Sequence, residues 1–211
     1  MARATATSNH KAGGLDSHTP TVIQHNPWSS ESDHGLMQRI ATGNTSAFTE
    51  FARRHMPAML GFARRYVNTS EAEDITQEAL TRIWLKASQW QERGVSPRSW
   101  LMRIVYNLCM DALRRHKRQP VESEMVEDEL PCSSGGPEQH YEQTVQQQQL
   151  ARAMQELPER QRSAILLTTY HGMSQRETAA ILEVSVEALE SLLSRGRRYL
   201  KQHISRQQGE S

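Results

Sequence analysis

Apolar side chains along this chain recur with the period of an α-helix. Between His34 and Arg118 they return at every third or fourth position, and the same period resumes after residue 144. No stretch alternates polar and apolar residues for long enough to predict a strand, so the pattern predicts an all-α fold. The predicted helices are Ala47–Tyr66, Glu71–Trp90, Pro97–Arg118, Thr144–Glu156, Pro158–His171, Gln175–Leu182 and Val186–His203.

Local signals refine three of these helices. Pro57 predicts a bend or an interruption in the first, because proline cannot donate the backbone hydrogen bond of a helix interior. Thr69 or Ser70 is the predicted cap of the second, whose first turn is acidic and suits the helix dipole. Pro97 is placed to open the third, since proline fits the first helical position.

Segments without periodicity divide the chain into parts. Residues 1–33 are rich in Ser, Thr, His, Gly and Pro, and we expect them to form a disordered tail. Residues 119–143 contain three prolines and the run SSGG, which predicts an extended and flexible linker. The helical segments on either side of the linker predict two small helical domains, at residues 34–118 and 144–206.

The formal net charge of +1 conceals an uneven distribution. Residues 34–118 carry 14 Lys and Arg against 7 Asp and Glu, and residues 145–206 carry 9 against 6. Residues 119–144 carry 7 acidic side chains and no Lys or Arg. Two basic domains therefore flank an acidic strip, and only the domains are candidates for contact with nucleic acid.

The stretch SWLMRIVYNLCMDALRRHKR, residues 99–118, is half apolar and half basic. Arg103, Asn107 and Asp111 interrupt its apolar positions, which excludes a membrane span of about 20 apolar residues. An ordinary core helix with a solvated face and a nucleic-acid surface both remain compatible with this pattern. At 100° per residue, Leu101, Ile104, Val105, Leu108 and Ala112 share one side, and Trp100, Arg103, Asn107, Arg114 and Arg118 share the other.

Several classes of site and location are disfavoured. The chain has no apolar run near residue 1, so we expect neither a signal peptide nor an anchor, and a cytoplasmic protein. Cys109 and Cys132 lack the spacing of a zinc site or a disulfide framework and are expected to be reduced, with inert thiols favoured over redox sensors. The nine histidines have no paired ligand spacing, so we expect no metal and no cofactor. No nucleophile and base, paired carboxylates or phosphate loop appears, so an enzyme is not expected.

The C-terminal sequence MSQRETAAILEVSVEALESLLSRGRRYLK has the order of a helix-turn-helix. Ser174 and Glu177 form a capping box, and a short turn at residues 183–185 precedes a second helix capped by Ser185. Ala179, Ala180 and Ile181 are the predicted inward positions of the first helix. The alternative is a plain helical bundle with a charged face. In the second helix, the inward stripe is Leu189, Leu192, Leu193, Gly196 and Leu200, and the outward set is Glu187, Ser191, Ser194, Arg195 and Arg198.

The helix EAEDITQEALTRIWLKASQW, residues 71–90, can pack Ile75, Ala79, Ile83 and Trp84 inward. Its acidic outer face resembles region 2.2 of the bacterial sigma-70 family of initiation factors, which docks on the clamp helices of RNA polymerase. A solvated helix face is the plainer interpretation of the charges alone. The resemblance implies that core polymerase binds Glu71, Asp74, Gln77, Glu78 and Arg82.

Two further stretches extend the resemblance. SPRSWLMRIVYNLCMDALRRHKR is similar to regions 2.3 and 2.4, which open and read the minus-ten element, and residues 157–200 are similar to region 4, which reads the minus-thirty-five element. The similarity covers roughly residues 45–118 and 145–203. It leaves no space for an N-terminal autoinhibitory region or an intervening domain, so we expect a member of the extracytoplasmic-function class, also called group IV.

The resemblance also implies which residues contact promoter DNA. In the family, the loop corresponding to residues 91–97 captures a flipped base, and here it has no aromatic side chain beyond Trp90. The second helix of the C-terminal module departs from the family in having Glu190 and Leu192 where basic residues are frequent. The implied minus-ten contacts are Arg98, Trp100, Arg103, Asn107, Asp111, Arg114, Arg115, Lys117 and Arg118. The implied minus-thirty-five contacts are Arg176, Glu187, Ser191, Ser194, Arg195, Arg197 and Arg198.

The implied function is to direct promoter-specific transcription initiation, for a stress or envelope-signal regulon. The implied partners are core RNA polymerase, through its clamp helices and flap, promoter DNA and an anti-sigma factor, with no membrane insertion. The acidic linker would thread the active-site cleft and the RNA-exit path. The alternative is a helix-turn-helix regulator that binds an operator without polymerase, which would need neither the acidic face of residues 71–90 nor a second basic domain.

Overall fold

The structure is a computed structural model that describes residues 27–90, 95–118 and 149–204, with the backbone of the last helix as far as Gly209. These ranges contain helices and turns but no β-strand, which confirms the predicted all-α class. The first unit consists of α1 (Asp33–Ala41), α2 (Thr45–Ala63), α3 (Thr69–Lys86), a 3₁₀ turn (Ala87–Gln89) and α4 (Pro97–Arg118). The second consists of α5 (149–156), α6 (Glu159–Ile165) with a π-helical continuation (Leu166–Tyr170), α7 (Gln175–Leu182) and α8 (Val186–Gly209).

Asparagine side chains start two of the helices in the first unit. The amide oxygen of Asn44 accepts a hydrogen bond from the backbone N–H of Ala47, and that of Asn68 accepts one from Glu71, each at 2.9 Å. The cap of α3 is therefore Asn68, and the prediction of Thr69 or Ser70 was wrong because both residues already lie within the helix. Pro57 lies inside α2, which continues past it to Ala63.

The core of the first unit forms around one side of α4. Leu101, Val105 and Ala112 are fully buried there, as predicted, and Leu108 is buried as well. Ile104 is only partly buried. The buried side is wider than the predicted stripe because it also includes Met102, Tyr106 and Cys109. The other helices contribute fully buried side chains from Leu36, Met37, Phe51, Met59, Phe62 and Ile83.

The structure differs from the predicted disordered tail at residues 27–32. Residues 27–32 form turns that lead into α1, and Arg54 of α2 holds their backbone. Its guanidinium group also reaches the Asp33 carboxylate at 3.1 Å. The carbonyl oxygens that accept hydrogen bonds from this group at 2.7 to 3.0 Å belong to Trp28, Ser29 and Glu31. This part of the predicted tail is thus ordered, and residues 1–26 lie outside the described residues.

The same arginine belongs to a buried ionic cluster. The carboxylate of Glu50 is completely buried and receives hydrogen bonds from Arg53 at 2.8 Å and from the Nε of Arg54 at 2.7 Å. The hydrogen bonds from Arg53, and to a lesser extent those from Arg54, lower the pKa of Glu50 to about 2 although burial acts in the opposite direction. The carboxylate therefore stays ionised inside the unit.

Close helix packing defines the second unit. At Gly196 of α8 an added Cβ would lie 2.8 Å from Cδ1 of Ile165 in α6, which explains a glycine on the inward stripe. Glu183 ends α7 in a left-handed conformation, with φ of 54°, and thereby turns the chain into α8. The helix ranges of α7 and of the start of α8 agree with the sequence prediction.

The two units pack directly against each other. Their buried apolar side chains form one continuous cluster, and α4 contacts α7. The hydroxyl of Tyr66 lies 2.6 Å from that of Ser163, and both side chains are buried. The sequence predicted two domains and a linker but no contact between the domains. The predicted linker falls within residues 119–148, outside the described residues.

We predict that replacing Glu50 with Gln destabilises the fold at neutral pH and removes part of its pH dependence. A carboxyl group with a lowered pKa stabilises the folded chain above its ordinary value of 4.5, and that contribution is lost as the pH falls from 4.5 towards 2. Breaking a buried ion pair costs about 3–5 kcal/mol, and the lower end applies because Arg54 retains Asp33 and three carbonyl partners.

Chemical denaturation of wild type and variant at pH 7, 5 and 3.5 measures both effects. Glu78→Gln is the control, because it breaks the exposed pair with Arg82 and is expected to cost only about 0.3–0.5 kcal/mol. Equal stability of Glu50→Gln and Glu78→Gln at pH 7 would contradict the assignment of Glu50.

Candidate polymerase and nucleic-acid interface

One face of α3 is polar and exposed along its length. Asp74, Gln77 and Glu78 are exposed, while Ile75 and Ala79, on the opposite side, are buried in the unit's core. Residues spaced by three or four positions share a helix face, so the three polar side chains form one continuous surface. The separation of faces predicted from the sequence is therefore present in the structure.

The structure adds an apolar residue to this face. Leu85 is 69% exposed, the largest exposed fraction of any large apolar side chain in the described ranges. It lies seven residues after Glu78 and hence on the same side of α3. Sequence reasoning missed it, although a leucine at a polar position of the helical period was a visible signal.

Three of the five residues predicted to contact polymerase, Glu71, Glu78 and Arg82, already have partners. Glu71 is mostly buried, and its carboxylate lies 2.9 Å from Nε2 of His116 and 3.5 Å from the guanidinium of Arg115, both in α4. Arg82 donates to Glu78 at 2.7 Å within α3. The exposed face of α3 consequently begins at the second turn rather than at Glu71.

The polar side of α4 is continuous and ends in a group of cations. Arg98, Arg103, Asn107 and Asp111 are exposed, and Trp100 is half-buried. Arg114 pairs with Asp111 within the helix. The terminal cations lie where the carboxyl end of the helix dipole favours positive charge, and they are Arg114, Arg115, Lys117 and Arg118.

The helix-turn-helix geometry predicted for α7 and α8 is present. Ser174 and Glu177 make both hydrogen bonds of the capping box, and the hydroxyl of Ser185 accepts from the N–H of Ala188 at 3.2 Å. Ala179 and Ile181 are buried as predicted. Ala180 is exposed, so the prediction that it points inward was wrong. It lies one residue along the helix from the buried Ala179, on the side of α7 that faces α4. Thr178 is buried in its place.

The second helix of this motif has the predicted faces. Leu189, Leu193 and Gly196 are buried, and Leu192 and Leu200 are partly buried. Glu187 lies exposed at the N-terminal end of this helix. A hydrogen bond from its own backbone N–H, and to a lesser extent one from the hydroxyl of Ser185, lowers the pKa of Glu187. These hydrogen bonds engage the carboxylate at the start of the helix. The exposed outward residues are Glu187, Ser191, Ser194, Arg195, Arg197 and Arg198, and Arg176 of α7 is exposed as well.

Other expectations concern metals, membranes and the base-capture loop. In the described ranges no group of three or more His, Cys, Asp or Glu is placed to hold a metal ion. Among the same residues, no helix has the length and apolar character needed to cross a bilayer. Residues 91–94 of the loop expected to capture a base lie outside the described residues. Trp90, beside that loop, is half-buried, and its indole N–H has no hydrogen-bond partner within the described part of the chain.

Comparison with known protein families gives two matches, one in each helical unit. The description "Sigma-70 region 2" matches residues 51–119, and "Sigma-70, region 4" matches residues 147–200. The ECF RNA polymerase sigma factor SigE of Mycolicibacterium smegmatis is 31% identical over 81% of this chain and 68% of its own length. SigM of Mycobacterium tuberculosis is 33% identical over 79% of this chain and 81% of its own. The chain is an extracytoplasmic-function sigma factor.

Two solved structures share this fold. CnrH, in a complex with the cytosolic domain of CnrY, is similar with a TM-score of 0.62 and 26% identity over 82% of this chain and 97% of CnrH. The sigma factor RpoE of Bartonella quintana, in a complex with the anti-sigma factor NepR, shares the fold with a TM-score of 0.60 and 24% identity, over 75% of this chain and 96% of RpoE.

Family membership decides between the two functional interpretations of the sequence. Both sigma regions occur in one chain and in the family order, which an operator-binding regulator would not require. This sigma factor is therefore a transcription initiation factor and not an enzyme. Its helix-turn-helix belongs to region 4, and the unit that contains α3 and α4 belongs to region 2.

The buried thiol of Cys109 provides a chemical prediction. Burial, reinforced by the negative charge of Glu71, raises the pKa of Cys109 to about 12, so the thiolate that reacts with oxidants and disulfides is scarce near neutral pH. In a Cys132→Ser variant we expect a disulfide reagent such as Ellman's to react with Cys109 only on unfolding. The rate is measured at pH 8 with and without denaturant. A rate in the native protein comparable to that of the denatured chain would contradict this inert assignment.

Proposed function

We propose that this sigma factor binds core RNA polymerase through the exposed face of α3. The observation that carries the proposal is the continuous surface of Asp74, Gln77 and Glu78, which lies opposite the buried side of the helix. Leu85 extends this surface with an exposed apolar side chain that a partner could cover. Burial of a leucine side chain is worth about 1.5–3 kcal/mol, so Leu85 is suited to be an anchor of the interface.

Promoter contact is assigned to α4 and α8. On α4, Trp100 offers an aromatic surface for an unpaired base, Asn107 offers an amide, and the terminal cations can neutralise phosphates. On α8, the arginines can bind phosphate or guanine, the serines are permissive, and Glu187 can accept from a cytosine amino group. The minus-ten element is thus proposed for α4 and the minus-thirty-five element for α8.

Location and regulation complete the proposal. We place the protein in the cytoplasm, where core polymerase and promoter DNA are present. The solved relatives CnrH and RpoE are each bound to a second protein, CnrY and NepR respectively. By analogy, the proposal includes an anti-sigma partner for this chain and a regulon that answers a stress or envelope signal.

Charge reversal on α3 tests the docking surface. We expect the variant Asp74→Lys with Glu78→Lys to lose co-purification with core polymerase, because two carboxylates of the contact surface become cations that a complementary partner repels. Circular dichroism is expected to stay unchanged because both side chains are exposed.

A control reverses one acidic side chain on another helix. Glu190→Lys alters an exposed acid of α8 and should leave core binding intact. Leu85→Ser should weaken core binding without changing charge. Undiminished binding by the double charge-reversal variant would exclude α3 as the docking surface.

Two variants of α8 separate base recognition from backbone contact. We expect Glu187→Ala to relax the preference at one upstream position by about 1–3 kcal/mol, whereas Arg198→Ala weakens all sequences nearly equally. Selection from a randomised upstream element with each holoenzyme measures both effects. An unchanged preference with Glu187→Ala would mean that this carboxylate only stabilises the start of α8, the role in which Ser185 and the backbone already engage it.

A further inference from the structure

A cavity of about 680 Å³ opens between the start of α4 and the side of α7 that contains Ala180. Binding sites for small molecules have volumes of roughly 300–1,000 Å³ and combine apolar walls with a few polar groups that orient the ligand. Val95, Arg176 and Ala180 line the cavity and are exposed, so a ligand can enter it from the solvent. The cavity therefore has the size and the access of a small-molecule site.

Two indole rings give the cavity aromatic walls. Trp90 follows the 3₁₀ turn, and Trp100 lies in the first turn of α4. The ring of His34 meets that of Trp90 edge-on, with the centroids 5.2 Å apart, and holds it in one orientation. Val95 adds an apolar side chain that is 41% exposed. Aromatic rings pack on one another in offset or edge-on arrangements, so these walls favour a ligand with an aromatic ring.

The indole N–H of Trp90 is a donor without an acceptor. Its nitrogen is buried, and it has no hydrogen-bond partner within the described part of the chain. The great majority of buried polar groups are paired, so an unpaired one needs a specific explanation. A ligand with an acceptor atom in its ring would provide the partner.

The carboxylate of Glu177, on the cavity wall, already has its hydrogen bonds. Its Oε1 accepts from the hydroxyls of Ser96 and Ser99 at 2.8 and 2.6 Å. Its Oε2 accepts from the N–H and the hydroxyl of Ser174 at 3.0 and 2.8 Å. Burial alone would raise the pKa of Glu177, but the hydrogen bonds from Ser99, Ser174 and Ser96 lower it to about 2. The carboxylate is thus ionised and satisfied without a cationic ligand.

Guanidinium groups give the cavity an excess of positive charge. Arg103 and Arg176 both line it, against the negative charge of Glu177. Arg103 forms an ion pair with Glu183, whereas Arg176 is exposed at the start of α7. A guanidinium binds a carboxylate or a phosphate through two parallel hydrogen bonds, and the N-terminal end of a helix also favours negative charge. The polar side of the cavity therefore favours an anion.

We propose that this cavity binds a small aromatic anion, whose ring packs against Trp90 and Trp100 and whose carboxylate or phosphate pairs with Arg176. The indole N–H of Trp90 donates to an acceptor atom of the ring. An aromatic cation would also gain from the indoles, but the two guanidinium groups would repel it. The site depends on the cavity walls, and not on the functions proposed for α3, α4 and α8.

An occupied cavity competes with promoter DNA, a step that rests on the proposed function of α4. Trp100 and Arg103 are proposed to contact the minus-ten element, and both also line the cavity. A ligand that covers them excludes DNA from the same side chains. The aromatic anion is therefore a competitor of the promoter.

Calorimetric titration of the free full-length chain tests the site in the absence of polymerase and DNA. The probe is quinaldate, which has an aromatic ring, a ring nitrogen as acceptor and a carboxylate. We expect saturable binding of quinaldate, at least tenfold weaker binding of the neutral quinaldamide, and weaker binding of the corresponding naphthoate, which lacks the ring nitrogen. Adenosine monophosphate, titrated in parallel, distinguishes a nucleotide from an aromatic acid as the source of the anion. No saturable binding of either anion, or equal affinity for quinaldate and quinaldamide, would overturn the proposal.

Substitutions on the cavity wall locate the bound probe. Ala180→Leu adds bulk to the wall and should weaken quinaldate binding at least tenfold. Arg176→Gln should reduce the affinity for quinaldate to that for quinaldamide. Ala41→Leu and Arg160→Gln make the same changes at exposed positions outside the cavity and should leave binding unchanged. Wild-type affinity in both Ala180→Leu and Arg176→Gln would place the probe elsewhere and overturn the proposal.

Trp90→Phe isolates the indole N–H, because this substitution keeps an aromatic wall and removes the donor. We expect the variant to bind quinaldate and naphthoate with equal affinity, whereas the wild type prefers quinaldate. A preference for quinaldate that survives the substitution would contradict the role of Trp90 as the donor.

Promoter competition tests the consequence for transcription initiation. Labelled promoter, core polymerase and the chain are mixed at equilibrium, with and without quinaldate at about ten times its Kd. Mutually exclusive binding weakens the apparent promoter affinity by one plus the ratio of ligand concentration to Kd, about elevenfold, and Ala180→Leu should abolish this effect. Promoter affinity that does not change when the probe is bound would overturn the competition. Failure of the probe-free holoenzyme to bind the promoter would instead contradict the proposed function, and the titration of the free chain is independent of that failure.

Discussion

Burial of the apolar side of α4 determines how the helices of the first unit pack. Leu101, Val105 and Ala112 have no exposure to solvent, and their burial holds α1, α2 and α3 around this helix. Since the apolar side must face inward, the rotation of α4 about its axis is determined, and its polar side is presented outward. The same rotation sets the direction of Trp100 and Arg103, so the core and the proposed minus-ten surface are consequences of one helix orientation.

Two carboxylates that are buried or partly buried in the described ranges, those of Glu50 and Glu177, have hydrogen-bond partners for their oxygens. Glu50 is paired with Arg53 and Arg54 within the first unit, and Arg54 in turn holds the residues that precede α1. Glu177 lies between the units and shares its two oxygens between them. A buried or partly buried carboxylate is tolerated only when its oxygens are paired. Such pairing requires defined positions of the donor and acceptor atoms. These carboxylates therefore specify one packing arrangement where apolar contacts alone would allow several.

Family membership and structure contribute different information about this sigma factor. The two matched regions identify the class and the order of the domains. The side-chain contacts show that Glu71 pairs with α4, that Leu85 is exposed on α3 and that Glu187 is engaged at the start of its own helix. The pairing of Glu71 depends on a neighbour that is distant in sequence, whereas the exposure of Leu85 and the engagement of Glu187 are set by their own helices.

The departures from sequence-based expectation have different physical causes. Ala180 was assigned inward as a small apolar residue between Ala179 and Ile181, but one helical step of about 100° turns it towards α4. Residues 27–32 have no periodic pattern, and their order comes from Arg54, which is distant in sequence. The cap of α3 shifted by a single position, a precision that composition alone does not provide because Asn, Ser and Thr can all fill that role.

Local sequence is sufficient to predict the helical class, the limits of α7, the start of α8, the capping box and the two faces of α3, α4 and α8. These features depend on periods of three to four residues and on caps within one turn, and local sequence contains that information. Three features appear only in the folded chain: the contact between the two units, the hydrogen bond between Tyr66 and Ser163, and the position of Glu177 between α7 and α4. Those pairs lie 78 to 97 residues apart in the chain, and no local pattern specifies which distant groups will meet.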